Sequence, residues 1–360
     1  MKLFTAKFRT GNLDCGVIIT PSENNRKFKV EMVTGDPNPV VLKRSDNDSW
    51  TIENKGTLNV SDAEFQQLGQ TIDAYLDRVY SMKTVVILTD FSDAAFNAAR
   101  YAAALTHQLG TSDMILYHSY QIISGDKWLP ASMPAEPIDI RAKSVKDLED
   151  LKHKLQPLVN KQTIIEIRTD ERPLVDAEQL ISEQQNAGLV VMGITGKSNL
   201  EQILVGSNAI KVARECSAPL LIVPKGAKFE EIKRVVFACD LRRISSTTPV
   251  HAIKTFIHAL NADLMILYRD QDGRDHFNPD TVSQQTLLHR QWDDEKPEYH
   301  YIEHDDIADG IMQFALGHDI QLVITVPQTY HFFESLFHRS LTKKLAFHTT
   351  IPLLLLREEI

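Results

Sequence analysis

Leu189-Val-Val-Met-Gly-Ile-Thr-Gly196 opens the stretch that decides the fold, and Pro219-Leu-Leu-Ile-Val223 closes it. Leu189–Met192 is a short, unbroken apolar run, the pattern of a strand buried on both faces of a sheet. Two glycines follow where the chain leaves that strand, Ser207–Cys216 reads as a helix, and Leu220–Val223 is another buried strand. Upstream, Lys83–Leu88 is a strand of the same kind and Ser92–Leu109 an alanine-rich helix. Then come a strand over Asp113–Tyr117, a charged amphipathic helix over Arg141–Leu155, a strand over Thr163–Arg168 and a helix over Val175–Gln185. Strands alternating with helices give βαβ units and a parallel sheet, here of five strands.

Downstream the same order runs again. Lys225–Glu231 is a polar linker, and Val235–Ala238 leads to Asp240 as Val85–Leu88 leads to Asp90. Met114-Ile-Leu-Tyr117 recurs as Met265-Ile-Leu-Tyr268, and Leu189–Val223 aligns without a gap on Leu322–Leu356 at an offset of 133. Matched strands in one order, with Pro-Leu-Leu repeated at 219–221 and 352–354, indicate duplication. The fold class is therefore α/β: two tandem five-stranded parallel-sheet domains, at 82–224 and 232–357. Each final strand, Leu220–Val223 and Leu353–Leu356, would leave an open edge. Antiparallel pairing of the two about a pseudo-twofold axis would cover both, making an intramolecular pseudo-dimer.

Residues 1–80 differ. Alternating runs at Leu3–Phe8, Gly16–Thr20, Phe28–Val33, Val40–Leu42 and Trp50–Ile52 are split by turn residues, which predicts a small antiparallel sheet. Ser61-Asp-Ala-Glu64 is a capping box, and Phe65, Leu68, Ile72 and Leu76 follow at helical spacing, so one helix packs on that sheet.

Composition narrows the classes of partner. Hydrophobic residues make up 43% and charged residues 24%, and the net charge is −9, which disfavours a broad surface for nucleic acid or anionic membrane. No apolar run approaches the ~18 residues of a membrane span, and no signal-peptide core precedes the first strand. Cys15, Cys216 and Cys239 are far apart and form no CxxC pair, which fits a reducing, cytoplasmic setting and buried structural thiols at Cys216 and Cys239.

The site signal is Gly193-Ile-Thr-Gly196, nine further residues, then Gly206-Ser207-Asn208. In open parallel sheets ligands gather at the carboxyl edge, at the topological switch point. Glycines there admit φ > 0 and a close backbone approach. Ser198-Asn-Leu-Glu201 is another capping box, and Ser207 and Asn208 open a helix whose free N–H groups suit phosphate. There is no Walker A run and no GxGxxG after the first strand. The alternative is a tight turn and a helix cap with no ligand; likewise Asp90, just past a strand, is explained equally by capping its own turn.

Thr89-Asp90-Phe91-Ser92 after the first strand, with Gly-x2-Gly-x9-Gly-Ser-Asn after the fourth, resembles the universal stress protein family. The resemblance covers about 82–224 strongly and 232–357 in pattern only. It implies ATP; in the phosphoryl-transfer alternative below, Mg²⁺ would join the phosphates to Asp90. Gly193, Gly196, Gly206 and Ser207 would line phosphates and ribose, Thr89 and Asp90 the adenine and ribose end, and Ser119 the adenine. Thr195 stands where the family often has histidine. It also implies dimerisation through the last strand, here internal or between two chains.

In the second copy Val326, Thr329 and Arg339 replace Gly193, Gly196 and Gly206, so ATP is not expected there. Its aromatic loop, Tyr330–Phe337, either lines an apolar pocket or fills the vacated cleft. His331 and His338 belong to no recognised ligand set, and no metal site is assigned. The leading reading is an ATP-binding stress-response or regulatory protein with no catalytic residue assigned. Its second domain is structural or binds a protein partner that the sequence does not identify. A slow ATPase or phosphoryl-transfer enzyme, drawing on Asp90, Lys197, Asn199 and Glu201, and a protein scaffold are the alternatives.

Overall fold

A computed structural model describes residues 4–10, 13–22, 27–32, 38–44, 49–56, 61–79, 81–120, 140–172, 174, 187–194, 212, 216, 218–240, 248–269, 279–302, 304, 307–326 and 351–356. The expected helices over 175–185 and 207–216, the 195–208 loop and the aromatic loop with His331 and His338 lie wholly or almost wholly outside these.

The first five strands are β1 (Phe4–Thr10), β2 (Leu13–Ser22), β3 (Lys27–Met32), β4 (Val40–Arg44) and β5 (Trp50–Asn54). They form an antiparallel sheet in sequential order. Alternation puts Val17, Ile19, Phe28, Val30, Val40 and Leu42 on one buried face. Helix α1 (Asp62–Val79) buries Phe65, Leu68, Ile72 and Leu76, the predicted stripe. Its capping box closes as read: the Glu64 carboxylate accepts from the Ser61 N–H at 2.8 Å. Arg44 ties this sheet to the rest, with Nη2 3.2 Å from Asp73 and Nη1 3.0 Å from His251 Nδ1.

Ten further strands form one sheet. The first half holds β6 (Thr84–Leu88), β7 (Asp113–Ser119), β8 (Ile164–Asp170), β9 (Leu189–Ile194) and β10 (Leu220–Pro224). The second holds β11 (Arg234–Asp240), β12 (Asp263–Arg269), β13 (Glu298–Tyr301), β14 (Leu322–Thr325) and β15 (Leu353–Leu355). The order is β13-β12-β11-β14-β15-β10-β9-β6-β7-β8, so the two halves repeat one strand order. All neighbours are parallel except the central pair, where β10 and β15 run antiparallel in the register Leu220↔Leu355, Leu221↔Leu354 and Ile222↔Leu353.

Helix α2 (Asp93–Leu109) follows β6, and α3 (Ile140–Leu155) follows β7. In the second half come α4 (Val250–Leu260), α5 (Pro279–Trp292) and α6 (Ile307–Gly317). From Val85 to Leu88 strand β6 is apolar because both its faces are covered: Val85 and Ile87 join one core, Val86 and Leu88 another. Helix α2 lies close on the sheet because the residues it buries are mostly alanines. It also grips the crossing to the second half. Asn97 Nδ2 donates to the Pro224 and Ala227 carbonyls at 3.1 and 2.9 Å. Gln108 Nε2 donates to the Ile232 and Leu260 carbonyls at 2.7 and 2.8 Å.

Candidate functional site

From β6 the chain passes outward through β7 and β8, then returns to β9 on the other side of β6, so the switch point lies between β6 and β9. Leu88 pairs with Tyr117 of β7 and with Met192 of β9. One step on, Thr89 falls level with His118 and Gly193. Thr89, Asp90, Ser119 and Gly193 thus share the carboxyl edge of neighbouring strands. The other sequence-selected residues, Thr195, Gly196, Gly206, Ser207 and Asn208, lie outside the described residues.

The turn after β6 is held tightly. Thr89 is buried, and its Oγ1 accepts from the Phe91 N–H at 3.0 Å. Asp90 is exposed, and its Oδ1 accepts from the Ser92 N–H at 3.0 Å. Ser92 caps α2, accepting from the Ala95 N–H at 3.3 Å. These bonds hold Phe91 at φ +63°, an uncommon backbone for an aromatic residue and a form of strain that clusters at functional sites. Asp90 therefore does cap its own turn, while its Oδ2 bonds to no described residue and the side chain is exposed.

Gly193 departs from expectation. It lies inside β9, which continues to Ile194, and pairs with Val223; its φ is not positive. A Cβ there would sit 2.2 Å from the Ala94 carbonyl oxygen and 2.8 Å from the Ala95 nitrogen. The position needs glycine because the first turn of α2 rests on it, rather than for a left-handed turn. Ser119 is also partly committed, its hydroxyl donating to the Arg172 carbonyl at 2.6 Å.

Sequence reasoning missed the aromatic side of this edge. Phe91 packs on His118 with ring centres 4.5 Å apart, and His118 stacks towards Tyr120 at 6.5 Å. His118 Nδ1 donates to the Thr89 carbonyl at 2.7 Å, fixing both the ring and the turn. The Met-Ile-Leu-Tyr-His-Ser-Tyr run carried the only available signal, polar and aromatic residues at the end of a buried strand. Beyond β8, the Arg172 side chain hydrogen-bonds Asp170 and holds its carboxyl below the usual range, with the Arg172 N–H and charge adding to the effect against partial burial. Among the described residues no three His, Cys, Asp or Glu side chains form a metal-holding group. Cys216 is buried and Cys239 half-buried.

The strand order and switch point place residues 84–224 among the open, doubly wound α/β folds. Residues 82–224 match the profile of the Universal stress protein family. The chain is 34% identical over 149 residues to Universal stress protein MJ0531 of Methanocaldococcus jannaschii, covering 41% of this chain and 84% of that protein. It is 24% identical over 159 residues to Universal stress protein MJ0577 of the same organism, covering 40% of this chain and 95% of that protein. The chain belongs to the universal stress protein family. In fold, it is similar to a universal stress protein from Archaeoglobus fulgidus, with a TM-score of 0.56 at 15% identity, covering 78% of this chain and 97% of that one. No helix among the described residues is long and apolar enough to cross a membrane.

Proposed function

We propose that this protein is an ATP-binding regulatory member of its family, holding one nucleotide per chain at the carboxyl edge of β6 and β9. The observation that carries the reading is the rigid Thr89–Ser92 turn at the switch point, inside the part of the chain that matches the family. Thr89, Asp90 and Ser119 would face adenine and ribose. Thr195, Gly196, Gly206, Ser207 and Asn208 would receive the phosphates, through glycines that admit backbone N–H groups and a helix start that favours anions. The exposed Asp90 carboxylate, with only Oδ1 engaged in the turn, suits Mg²⁺, which would screen phosphate charge when bound. Gly193 contributes indirectly, by letting α2 and its capped start sit against the edge.

On this reading residues 82–224 and 232–357 are tandem domains of one fold, paired through β10 and β15 as a pseudo-dimer, in the cytoplasm. Residues 1–80 form a separate β-rich module. The second domain supports the first or meets a protein partner. Calorimetric titration of the whole chain with Mg-ATP tests the proposal, with a stoichiometry near one expected. A value near two would show that the second domain also binds, and no binding would sink the reading. Gly206→Val should remove binding while leaving thermal unfolding unchanged. A folded variant with unaltered affinity would move the phosphates elsewhere.

A further inference from the structure

The linker that leaves β10 runs back along α2 and, with the second half, borders an open-sided cavity of about 620 Å³. Tyr101 of α2, Lys228 and Glu230 of the linker, and Asp319, Leu316 and Ile351 of the second half line it. None of these belongs to the edge that holds Thr89 and Asp90. The volume is that of a small-molecule site.

Three features define what would fill it. Tyr101 is only 3% exposed, with Phe229 edge-on at 5.3 Å, and no described residue hydrogen-bonds its hydroxyl. Its oxygen opens onto the cavity rather than being sealed among apolar atoms, so a polar group of an occupant can pair with it. Burial first, and the Glu230 carboxylate second, push its phenol above its ordinary range, so the hydroxyl stays neutral. Around it stand the exposed carboxylates of Glu230 and Asp319 against the single ammonium of Lys228, and none of the three is ion-paired to a described residue. Leu316, 64% exposed, gives the rim an apolar wall beside Ile351.

We propose that this cavity binds a small amphipathic amine, with its ammonium group among the Tyr101 hydroxyl and the Glu230 and Asp319 carboxylates and its apolar body against Leu316 and Ile351. An anion of the same shape would meet two carboxylates, and a neutral analogue would forgo both charge-assisted bonds. The site joins α2, the linker and the second half, so an occupant would brace the contact between the two halves.

The test uses the full chain and three probes with one apolar body: phenethylamine, phenylacetate and 2-phenylethanol. Ligand-observed NMR should show saturable phenethylamine binding with Kd in the millimolar range, as expected of a fragment, and weaker or no binding of the other two. Tyr101→Phe keeps the ring and should weaken phenethylamine about fivefold or more. Asp319→Asn and Glu230→Gln together should do the same without disturbing the fold: both residues are exposed, and asparagine tolerates the φ of +52° at position 319 as aspartate does. Phenylacetate binding as tightly as phenethylamine, no saturable phenethylamine binding, or affinity unchanged in the folded Asp319→Asn/Glu230→Gln chain would each overturn the proposal.

Discussion

Gly193 in the first half of the long sheet and Val326 in the second occupy aligned positions, yet one has no room for a Cβ and the other buries a β-branched side chain. The helix above Gly193 accounts for the constraint in the first half. Asp90 and Asp113 are as far apart in sequence as Asp240 and Asp263, so both crossovers have the same length of chain. The first spends it on a 17-residue helix capped by Ser92, whose opening turn lies on Gly193. The second has an 11-residue helix that begins only at Val250, behind Pro249, with no side-chain cap. The glycine at 193 therefore follows from how closely the Ser92-capped start of α2 lies on the sheet.

The largest test of this contrast is Gly193→Val, which gives the first half the residue of the second. The new side chain must displace the Ala94 carbonyl, so a loss of about 3 kcal/mol is expected, at the upper end for overpacking. Urea unfolding would read it, and a loss below ~1 kcal/mol would mean that α2 can lift away freely. The complementary change, Val326→Ala, removes only buried methyl groups and should cost about 1.5 kcal/mol by the same measurement. If it cost as much as Gly193→Val, the two positions would be equally constrained and the contrast would fail. Ser92→Ala makes the start of α2 uncapped like that of α4, at about 1 kcal/mol in thermal or urea unfolding. A neutral result would show that Asp90 and Thr89 alone hold the turn.

The smallest effect is expected at the outer rim of the first half. Asp170→Asn should cost about 0.5 kcal/mol or less at neutral pH, because Arg172 is half exposed and solvent screens the pair. Its folded-state carboxyl is held below the ordinary value, so the contribution is present above the unfolded pKa of about 3.9 and is lost as pH falls through the lower folded value. The difference between wild type and variant should therefore vanish in acid. A difference that grew on acidification would reverse the assigned sign.

Much of the fold was legible because burial on two faces writes itself as unbroken apolar runs, as in Val85–Leu88 and Leu189–Met192, and because capping at Ser61 is local chemistry. Strand β13, Glu-Tyr-His-Tyr, was not legible, since none of its residues is fully buried and it carries no apolar run. The site was half legible. Thr89, Asp90 and Ser119 were singled out through the family resemblance, and the structure brings them together at the ends of β6 and β7. The left-handed backbone expected at Gly193 is not there, and the reason for its glycine, the close approach of Ala94, is remote in sequence. The strained Phe91 and its contact with His118 depend on where two strands end relative to each other, which no short window of sequence contains.

The antiparallel joint of β10 and β15 has a consequence of a different kind. Two separate chains meeting edge to edge come apart on dilution, whereas partners tethered by a short linker see each other at an effective concentration of about a millimolar, whatever the concentration of the protein. The joint is thus a unimolecular property, the same in a dilute sample as in a crowded one. It also frees each side to change alone. In a twofold pair of identical chains every substitution arrives twice, and a valine in place of the glycine would remove the close-lying helix from both sides at once. Within one chain, Val326 can stand across the joint from Gly193.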